Sequence, residues 1–283
     1  MVHEVIQKYR PRGYARLLKF LALLNDRYRY STINVAGFII ELDLSLNSDI
    51  GMFINHGIPN EKGLESILLS LATKDDVFYD VGSNQGYYSF IMATLVSRVV
   101  GFEPNVVLYE RLVRATSRIE GDFNLSFVNC GLGSERSKLK FYNRLTDHTL
   151  GNFRIAKGNE GCQSMDVDVY TLDSLIAEGF APPSILKIDV EGFEMHVLRG
   201  GINTIDKFCP IIFIEWSETF SAEVGFVFKD LKVFFDNENW LIFRIENSGI
   251  LRSSDLDVPY TTNDLLIVNK NDPRFEKLRG RIT

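Results

Sequence analysis

The amino-acid sequence predicts an α/β fold in which helices cover a mainly parallel sheet. Short apolar runs that contain or precede an acidic residue recur along the middle of the chain, at Val77–Val81, Arg98–Phe102, Ile185–Ile188 and 211–214. Stretches with helical spacing alternate with these runs, as in βαβ units. The first run leads into a glycine turn, which is typical of the ligand-binding edge of an open α/β sheet.

Two glycines separated by three residues follow the strand predicted at Val77–Val81. Gly82 and Gly86 suit a backbone that takes a positive φ or lies against a ligand, and a helix is predicted to begin near Tyr87. A dinucleotide fingerprint needs a third glycine, which is absent, and Asp80 precedes Gly82. A carboxylate repels phosphate but accepts a hydrogen bond from an ammonium group, which favours the amino acid end of S-adenosylmethionine. A purely structural glycine turn is the alternative.

A second acidic signal follows the strand predicted at Arg98–Phe102. Glu103 and Pro104 stand at its end, about twenty residues beyond the glycine turn. An acid at this place binds a ribose diol in nucleotide and S-adenosylmethionine folds, because each hydroxyl can donate to one carboxylate oxygen. The two signals together favour a cofactor that carries a ribose.

Composition restricts the class of protein. The chain has 283 residues, of which 45% are hydrophobic and 24% charged, as in an ordinary globular protein. A net charge of -6 argues against a nucleic-acid binder that works through bulk electrostatics. Cys130, Cys162 and Cys209 form no C-x-x-C pair, so free thiols in a reducing compartment are expected and a zinc site is not.

The first thirty residues differ from the rest. They contain seven basic and two acidic residues, together with a leucine-rich cluster between Leu17 and Leu24 that is too short to span a bilayer. No cleavage site of a secretory signal follows it, so a cytoplasmic location is expected. Two interpretations are open: a basic amphipathic helix in weak contact with a membrane surface or a partner, or a helix packed on its own domain.

The segments around the glycine turn predict further elements. Alternation at Phe38, Ile40 and Leu42 predicts a small hairpin, and a helix over 61–72 begins after the capping residue Asn60. A third strand is expected to end near 129–131, and another covers 138–142. The polar loop 143–162, which contains His148, is long enough for a lid. One helix over 221–236 and strands at Trp240–Ile245 and 265–268 complete the pattern.

Acidic residues also follow the strand predicted at Ile185–Ile188. Asp189 and Glu191 precede Gly192, at a strand end that should face the ligand crevice. Capping of the next helix by Asp189 is the structural alternative. Asp189 and Glu215 at neighbouring strand tips could coordinate Mg²⁺, but two carboxylates are a small ligand set. No metal site is predicted.

In this order and at these separations, the motifs VFYDVGSNQGYYSF, GFEP, TLDSL, LKIDVEGFEMHVLRGG and PIIFIE resemble the FkbM-type methyltransferases, which use S-adenosylmethionine. The resemblance spans roughly residues 37–270, and KIDVEG followed by LRGG is its most specific part. It implies a Rossmann-like seven-stranded methyltransferase sheet with helices on both faces. It also implies methyl transfer to a hydroxyl oxygen, commonly on a sugar, glycolipid or polyketide.

The resemblance also assigns site residues. The position of the fourth strand tip, rather than the resemblance, makes Asp189 and Glu191 candidates for the general base that removes the acceptor's proton, and His148 in the polar loop is a further candidate. Gly131 departs from the alanine usual in the family at the adenine edge. The expected cofactor contacts are Asp80, Val81, Gly82, Ser83, Asn84, Gly86, Glu103, Pro104, Asn129, Cys130, Gly131 and Asp189.

The expected organisation is an N-terminal basic helix and hairpin extension over residues 1–58 and a methyltransferase domain over 59–283. The expected partner is a small-molecule or glycan acceptor, and no nucleic acid. Two other classes share the fold: a protein that binds the cofactor without catalysis, and a nicotinamide-dependent oxidoreductase. Titration with S-adenosylmethionine and NAD⁺ separates them.

Overall fold

A computed structural model describes residues 13–58, 61–119, 123–143, 153–154, 163–236, 238–253 and 262–283. The strands are β1 Tyr30–Val35, β2 Phe38–Asp43, β3 Val77–Val81, β4 Arg98–Phe102, β5 Leu125–Val128, β6 Gly131–Leu132, β7 Ser137–Asn143, β8 Phe153–Arg154, β9 Gln163–Tyr170, β10 Ile185–Ile188, β11 Ile211–Ser217, β12 Trp240–Ile245, β13 Leu251–Ser253 and β14 Thr262–Asn269. The α-helices are α1 Tyr14–Leu24, α2 Asn47–Asn55, α3 Lys62–Leu71, α4 Tyr87–Ala93, α5 Val106–Ser117, α6 Leu172–Ala177, α7 Glu194–Gly200, α8 Ile202–Phe208, α9 Glu218–Glu223 and α10 Phe228–Phe234. Short 3₁₀ segments lie at Asp26–Tyr28 and Pro273–Arg281.

The central sheet has the strand order β13-β12-β14-β11-β10-β3-β4-β5. Strands β5, β4, β3, β10 and β11 are parallel, whereas β14, β12 and β13 each pair antiparallel with their neighbours at one side of the sheet. The predicted α/β class is confirmed. The sheet has eight strands rather than seven, because β13 adds a three-residue strand that is too short to give a periodic signal.

A second sheet was not predicted. Strands β6, β9, β7 and β8 form it in that order. The expected third strand of the central sheet ends at Val128, and Gly131 belongs instead to β6, which pairs with β9. A short strand was expected from Val167, and β9 extends it to eight residues, Gln163–Tyr170.

Helices cover both faces of the central sheet, and alternate residues of each strand supply two hydrophobic layers. Phe78 and Phe213 pack on one face, together with Leu18 and Phe38 from the N-terminal helix and hairpin. Tyr79 and Ile214 are among the residues that point to the opposite face. Residues 13–58 thus share a hydrophobic layer with the sheet, and the domain boundary at 58/59 stays a prediction.

The remaining predicted elements agree in part. The hairpin of β1 and β2 is present, and α4 begins at Tyr87 as expected. Helix α3 begins at Lys62, and the expected cap Asn60 lies outside the described residues. The single helix expected over 221–236 is wrong, since α9 and α10 are separated by a turn at Gly225, whose φ is 93°. Over the described ranges, no helix combines the length and apolarity needed to cross a bilayer.

Candidate active site

The glycine turn after β3 folds back onto the neighbouring strand ends. The N–H groups of Gly82 and Ser83 both donate to the carbonyl oxygen of Phe102, at 2.9 and 3.1 Å. Gly82 has a φ of 85°, and a Cβ at this position would overlap the carbonyl group of Asp189. The tips of β3 and β10 therefore meet closely because residue 82 has no side chain.

Glu103 is buried at the tip of β4 and is held by two backbone donors. Its Oε2 accepts from the N–H of Asn84 at 2.7 Å, and its Oε1 accepts from the N–H of Asn105 at 2.8 Å. Burial raises the pKa of Glu103 to about 7, against the lowering effect of these hydrogen bonds. Each carboxylate oxygen keeps a second lone pair for a ligand hydroxyl.

A first cavity lies beside Glu103, between the ends of β3, β4 and β6. A Cβ on Gly131 would meet Val167 and Val169 at 3.5 and 3.6 Å, so the position tolerates the family's alanine. Seven expected cofactor contacts line this cavity: Val81, Gly82, Glu103, Pro104, Cys130, Gly131 and Asp189. Hydrophobic walls with few polar groups suit a planar base and its ribose.

A second cavity of about 230 Å³ lies under the N-terminal helices. It shares three wall residues with the first cavity, namely Gly82, Asp189 and Glu191. Its other lining residues are Asn47, Ser48, Gly51, Met52, Ile58, Glu61, Asp80, Ser83, Asn84, Gln85, Tyr87, Tyr88, Lys187 and Glu215. The two cavities therefore adjoin at the three shared residues.

A row of charged side chains crosses the sheet at the base of the second cavity. In the strand register, Lys187 of β10 lies opposite Asp80 of β3, and Glu215 of β11 lies opposite Asp264 of β14. The Lys187 ammonium is 3.0 Å from Asp189 Oδ2 and 5.1 Å from the centre of the Tyr88 ring. Although burial acts to lower it, the carboxylates of Asp189, Asp80 and Glu61 raise the pKa of Lys187. This lysine is charged and compensates the acidic groups around it.

Interaction between the carboxyl groups of Asp189 and Glu215 moves their pKa values in opposite directions. The Asp189 carboxylate, followed by burial, raises the pKa of Glu215 far above its ordinary value. Burial would also raise the pKa of Asp189, but the Lys187 charge and the hydrogen bond from Glu215 lower it. Near neutral pH, Asp189 is therefore the ionised member of the pair and Glu215 the protonated one.

Two further acids border the row. Asp80 is buried and its Oδ2 accepts from the Ser89 hydroxyl at 2.6 Å, and burial raises its pKa. Glu61 accepts from the Tyr88 hydroxyl at 2.7 Å, and burial raises its pKa to about 7. Because several carboxyl groups and only one lysine line the second cavity, the cavity is complementary to a cationic ligand.

Two expected residues in the described ranges, Gly86 and Asn129, line neither cavity. Gly86 precedes α4, where a Cβ would clash with Leu112 and Phe90. Asn129 Nδ2 donates to the carbonyl groups of Glu103 and Pro104 at 2.9 and 3.1 Å, so it orders the loop beside the first cavity. His148 lies outside the described residues.

Other lining residues were not expected. Lys187 stands between buried Leu186 and Ile188, and a charge inside an apolar strand is itself a signal, because buried charges need partners. The sequence of helix α2 contains no comparable signal. Its fully buried Asp49 accepts from Gln85 Nε2 at 2.8 Å and from Arg111 Nη1 at 3.0 Å, which ties α2 to the glycine turn.

The site's donors and acceptors fit S-adenosylmethionine. Asn84 Oδ1 is buried, belongs to the wall of the second cavity and has no hydrogen-bond partner among the described residues. An ammonium group is the natural donor for this oxygen and for the neighbouring carboxylates. In the described ranges, no three His, Cys, Asp or Glu side chains are placed to bind a metal ion together.

The fold and the site define a Rossmann-like methyltransferase that uses S-adenosylmethionine. The chain belongs to the FkbM methyltransferase family, since the model of the methyltransferase FkbM domain matches residues 80–241. This membership favours methyl transfer over the oxidoreductase and the non-catalytic alternatives.

The chain is also similar to named methyltransferases. The chain is 30% identical over 195 residues to the hexuronic acid methyltransferase AglP of Haloferax volcanii, which covers 68% of this chain and 77% of the relative. It is 27% identical over 146 residues to methyltransferase 1 of Beauveria bassiana, over 44% of this chain and 58% of the relative. A crystal structure of a methyltransferase FkbM from Methylobacillus flagellatus KT aligns with a TM-score of 0.45 and 16% identity, over 69% of this chain and 44% of that one.

Proposed function

We propose that this protein transfers the methyl group of S-adenosylmethionine to a hydroxyl oxygen of a sugar-containing acceptor. The observation that carries the proposal is the position of Asp189, which lies in the wall common to both cavities and is ionised beside Lys187. A carboxylate at the junction of a cofactor site and an acceptor site is placed to receive the acceptor's proton.

The residues of the first cavity would bind the adenosine part of the cofactor. Glu103 would accept hydrogen bonds from the two ribose hydroxyls, since both of its oxygens are already oriented by backbone donors. Cys130 and Gly131 would border the adenine ring. In the second cavity, Asp80 and Asn84 would bind the ammonium group of the methionine part.

When bound, the cofactor supplies a methyl group that its sulfonium charge has already activated. The protein has to align an acceptor hydroxyl with the methyl carbon, and Asp189 would take the hydroxyl proton as the new C–O bond forms and the S–C bond breaks. Glu191 lines both cavities and is a second candidate for this role, and His148 is a third.

The charge of the second cavity favours a neutral hydroxyl over a carboxylate as acceptor. Carboxyl groups of Glu61, Asp80, Asp189 and Glu215 line it, and the Lys187 charge is already engaged with Asp189. A carboxylate acceptor would be repelled here. The relative named as a hexuronic acid methyltransferase supports a sugar, and a hexuronic acid offers both kinds of oxygen.

The test is transfer of a radiolabelled methyl group from S-adenosylmethionine to a panel of neutral hexosides, hexuronic acid glycosides and alcohols that lack a sugar. A methyl ether survives mild alkali, whereas a methyl ester is hydrolysed. Alkali-stable label in a sugar product supports the proposal. Alkali-labile label would identify a carboxylate acceptor, and labelled product only with acceptors that lack sugar would refute the sugar assignment.

A further inference from the structure

Helix α1 exposes an apolar face that the fold leaves uncovered by the other described elements. Leu17, Phe20, Leu23 and Leu24 have exposed fractions of 41%, 58%, 68% and 64%. Spacings of three and four residues bring these side chains to one side of the helix. We call these four residues the α1 face.

The rest of α1 is fixed to the protein, which directs this face outwards. Leu18 and Ala22 on the opposite side are buried in the hydrophobic layer that also contains Phe38. Lys19 Nζ donates to Asn47 Oδ1 of α2 at 2.8 Å. The helix is therefore anchored, and its exposed leucines and phenylalanine do not belong to the core of this chain as described.

Two exposed basic residues lie on or next to helix α1. Arg16 is exposed, one turn before Phe20 on the same side of the helix, and Arg27 is exposed in the turn after α1. The first thirty residues contain seven basic and two acidic residues, although the whole chain has a net charge of -6. Cationic side chains around an apolar helix face are complementary to a surface that presents hydrocarbon behind anionic head groups.

We propose that the α1 face docks this protein on the surface of an anionic lipid bilayer. The helix lies in the plane of the interface, with Phe20 and the three leucines among the acyl chains and Arg16 at the level of the head groups. A second copy of this chain is a poorer occupant, because symmetric contact would bring two basic segments together.

Docking would place the candidate active site close to the lipid. Asn47, which accepts the hydrogen bond from Lys19, lines the second cavity at the start of α2. If the proposed function holds, this position gives the site access to acceptors carried on membrane lipids. The docking itself does not rest on the proposed function, and its test uses no acceptor.

The test is sedimentation of the full-length protein with vesicles of phosphatidylcholine alone or with added phosphatidylglycerol. We expect binding to the anionic vesicles that falls as salt is raised. The double variant Phe20→Ser and Leu23→Ser should bind about tenfold more weakly or worse, because it removes most of the insertable area. Val233→Ser is the matched control, since Val233 is an exposed hydrophobic residue on α10.

The α1 face lines neither cavity, so all variants should retain the affinity for S-adenosylmethionine. Retained affinity shows that the variants are folded. Absence of wild-type binding to anionic vesicles overturns the proposal. Equal affinity of the double variant and of Val233→Ser for anionic vesicles also overturns the proposal. A wild-type dimer that the double variant dissociates, without vesicle binding, would identify a second copy as the occupant instead.

Discussion

Lys187 and Asp189 form a buried ion pair at the centre of the candidate site, with 3.0 Å between Nζ and Oδ2. The Lys187 side chain is only 5% exposed, and it lies opposite Asp80 in the sheet register. The same ammonium group thus stabilises the ionised form of Asp189 and reduces the repulsion among the neighbouring acids.

Replacement of this lysine should destabilise the protein strongly. Lys187→Met leaves Asp189 and Asp80 without their cation, and loss of one member of a buried pair costs about 3–5 kcal/mol of unfolding free energy. Urea unfolding measures the loss. The control is Lys138→Met, whose pair with Asp168 is largely exposed and should contribute at most about 1 kcal/mol. Equal losses in the two variants would contradict the role given to Lys187.

Glu103→Gln should weaken binding of S-adenosylmethionine by about tenfold to a hundredfold, the usual effect of losing hydrogen bonds to a charged group. The amide would also direct an N–H group at the backbone donors of Asn84 or Asn105. Calorimetric titration measures the affinity. Glu194→Gln is the control, because Glu194 is equally buried and accepts from the N–H of Gly192 but lines neither cavity. Unchanged affinity in Glu103→Gln would remove Glu103 from the ribose site.

Local sequence signals were enough to predict the first cavity. Gly82, Glu103 and Asp189 each follow from strand periodicity and turn chemistry, and the parallel register then brings them to one edge of the sheet. Asn129 was expected beside the adenine for the same reason, but its side chain turns back to the β4 loop. The direction of a loop side chain depends on contacts that spacing alone does not contain.

The second cavity depends on contacts between distant segments. Glu61 and Tyr88 are hydrogen bonded although 27 positions separate them in the sequence, and Asp49 and Gln85 are hydrogen bonded over a separation of 36 positions. Helix α2 begins without a side-chain cap, and its residues have mixed polarity, so its place over the cavity is set by tertiary packing. The edge strand β13 is similar, since three residues acquire their extended form from pairing with β12.

Buried acids should make the cofactor-free protein less stable as pH rises from about 4.5 to 7. Burial raises the pKa values of Glu61, Glu103 and Glu194 to about 7, from an ordinary value of 4.5. In this window the folded state binds more protons than the unfolded state, so the unfolding free energy falls with rising pH. Above pH 7 the fall continues with a shallower slope, because the pKa of Glu215 is raised further than those of the other three acids. Urea unfolding at several pH values measures the slope.

Glu194→Gln provides the internal control for this pH dependence, because it removes one of the three groups without touching the cavities. Its slope between pH 4.5 and 7 should be shallower than that of the wild type. Carboxyl groups with lowered pKa values, such as Asp43 and Asp272, act below this window. A stability that rises with pH between 4.5 and 7 would show that the three acids are ionised in the folded protein.

Arg274 connects the C-terminal 3₁₀ segment to the sheet and should contribute strongly to stability. Its Nη1 lies 2.7 Å from Asp76 Oδ1 and its Nη2 lies 2.7 Å from Asp272 Oδ2, and all three side chains are mostly buried. Arg274→Met should cost about 3–5 kcal/mol in urea unfolding. Arg279→Met, from the exposed pair with Glu276 in the same segment, should cost at most about 1 kcal/mol. A small loss at Arg274 would show that water replaces its hydrogen bonds.

Asp189→Asn should separate turnover from binding. If Asp189 accepts the acceptor's proton, the amide variant should lose about 10²–10⁴-fold in kcat and keep most of its affinity for S-adenosylmethionine. The control is Asp264→Asn, since Asp264 borders the same charged row through its register with Glu215 but lines neither cavity. Single-turnover methyl transfer and calorimetric titration, performed on both variants, measure the two quantities.

Because Asp189 also pairs with Lys187, a structural effect of the variant has to be distinguished from loss of the base. A lost base removes a proton acceptor whose pKa the lysine lowers, so the remaining activity should no longer depend on its ionisation and the acidic limb of the pH profile should disappear. Misplacement of the cofactor would instead weaken binding and turnover together and leave the limb in place. If Asp189→Asn weakens binding and turnover together and keeps the acidic limb, and Glu191→Gln loses that limb, the role of general base belongs to Glu191.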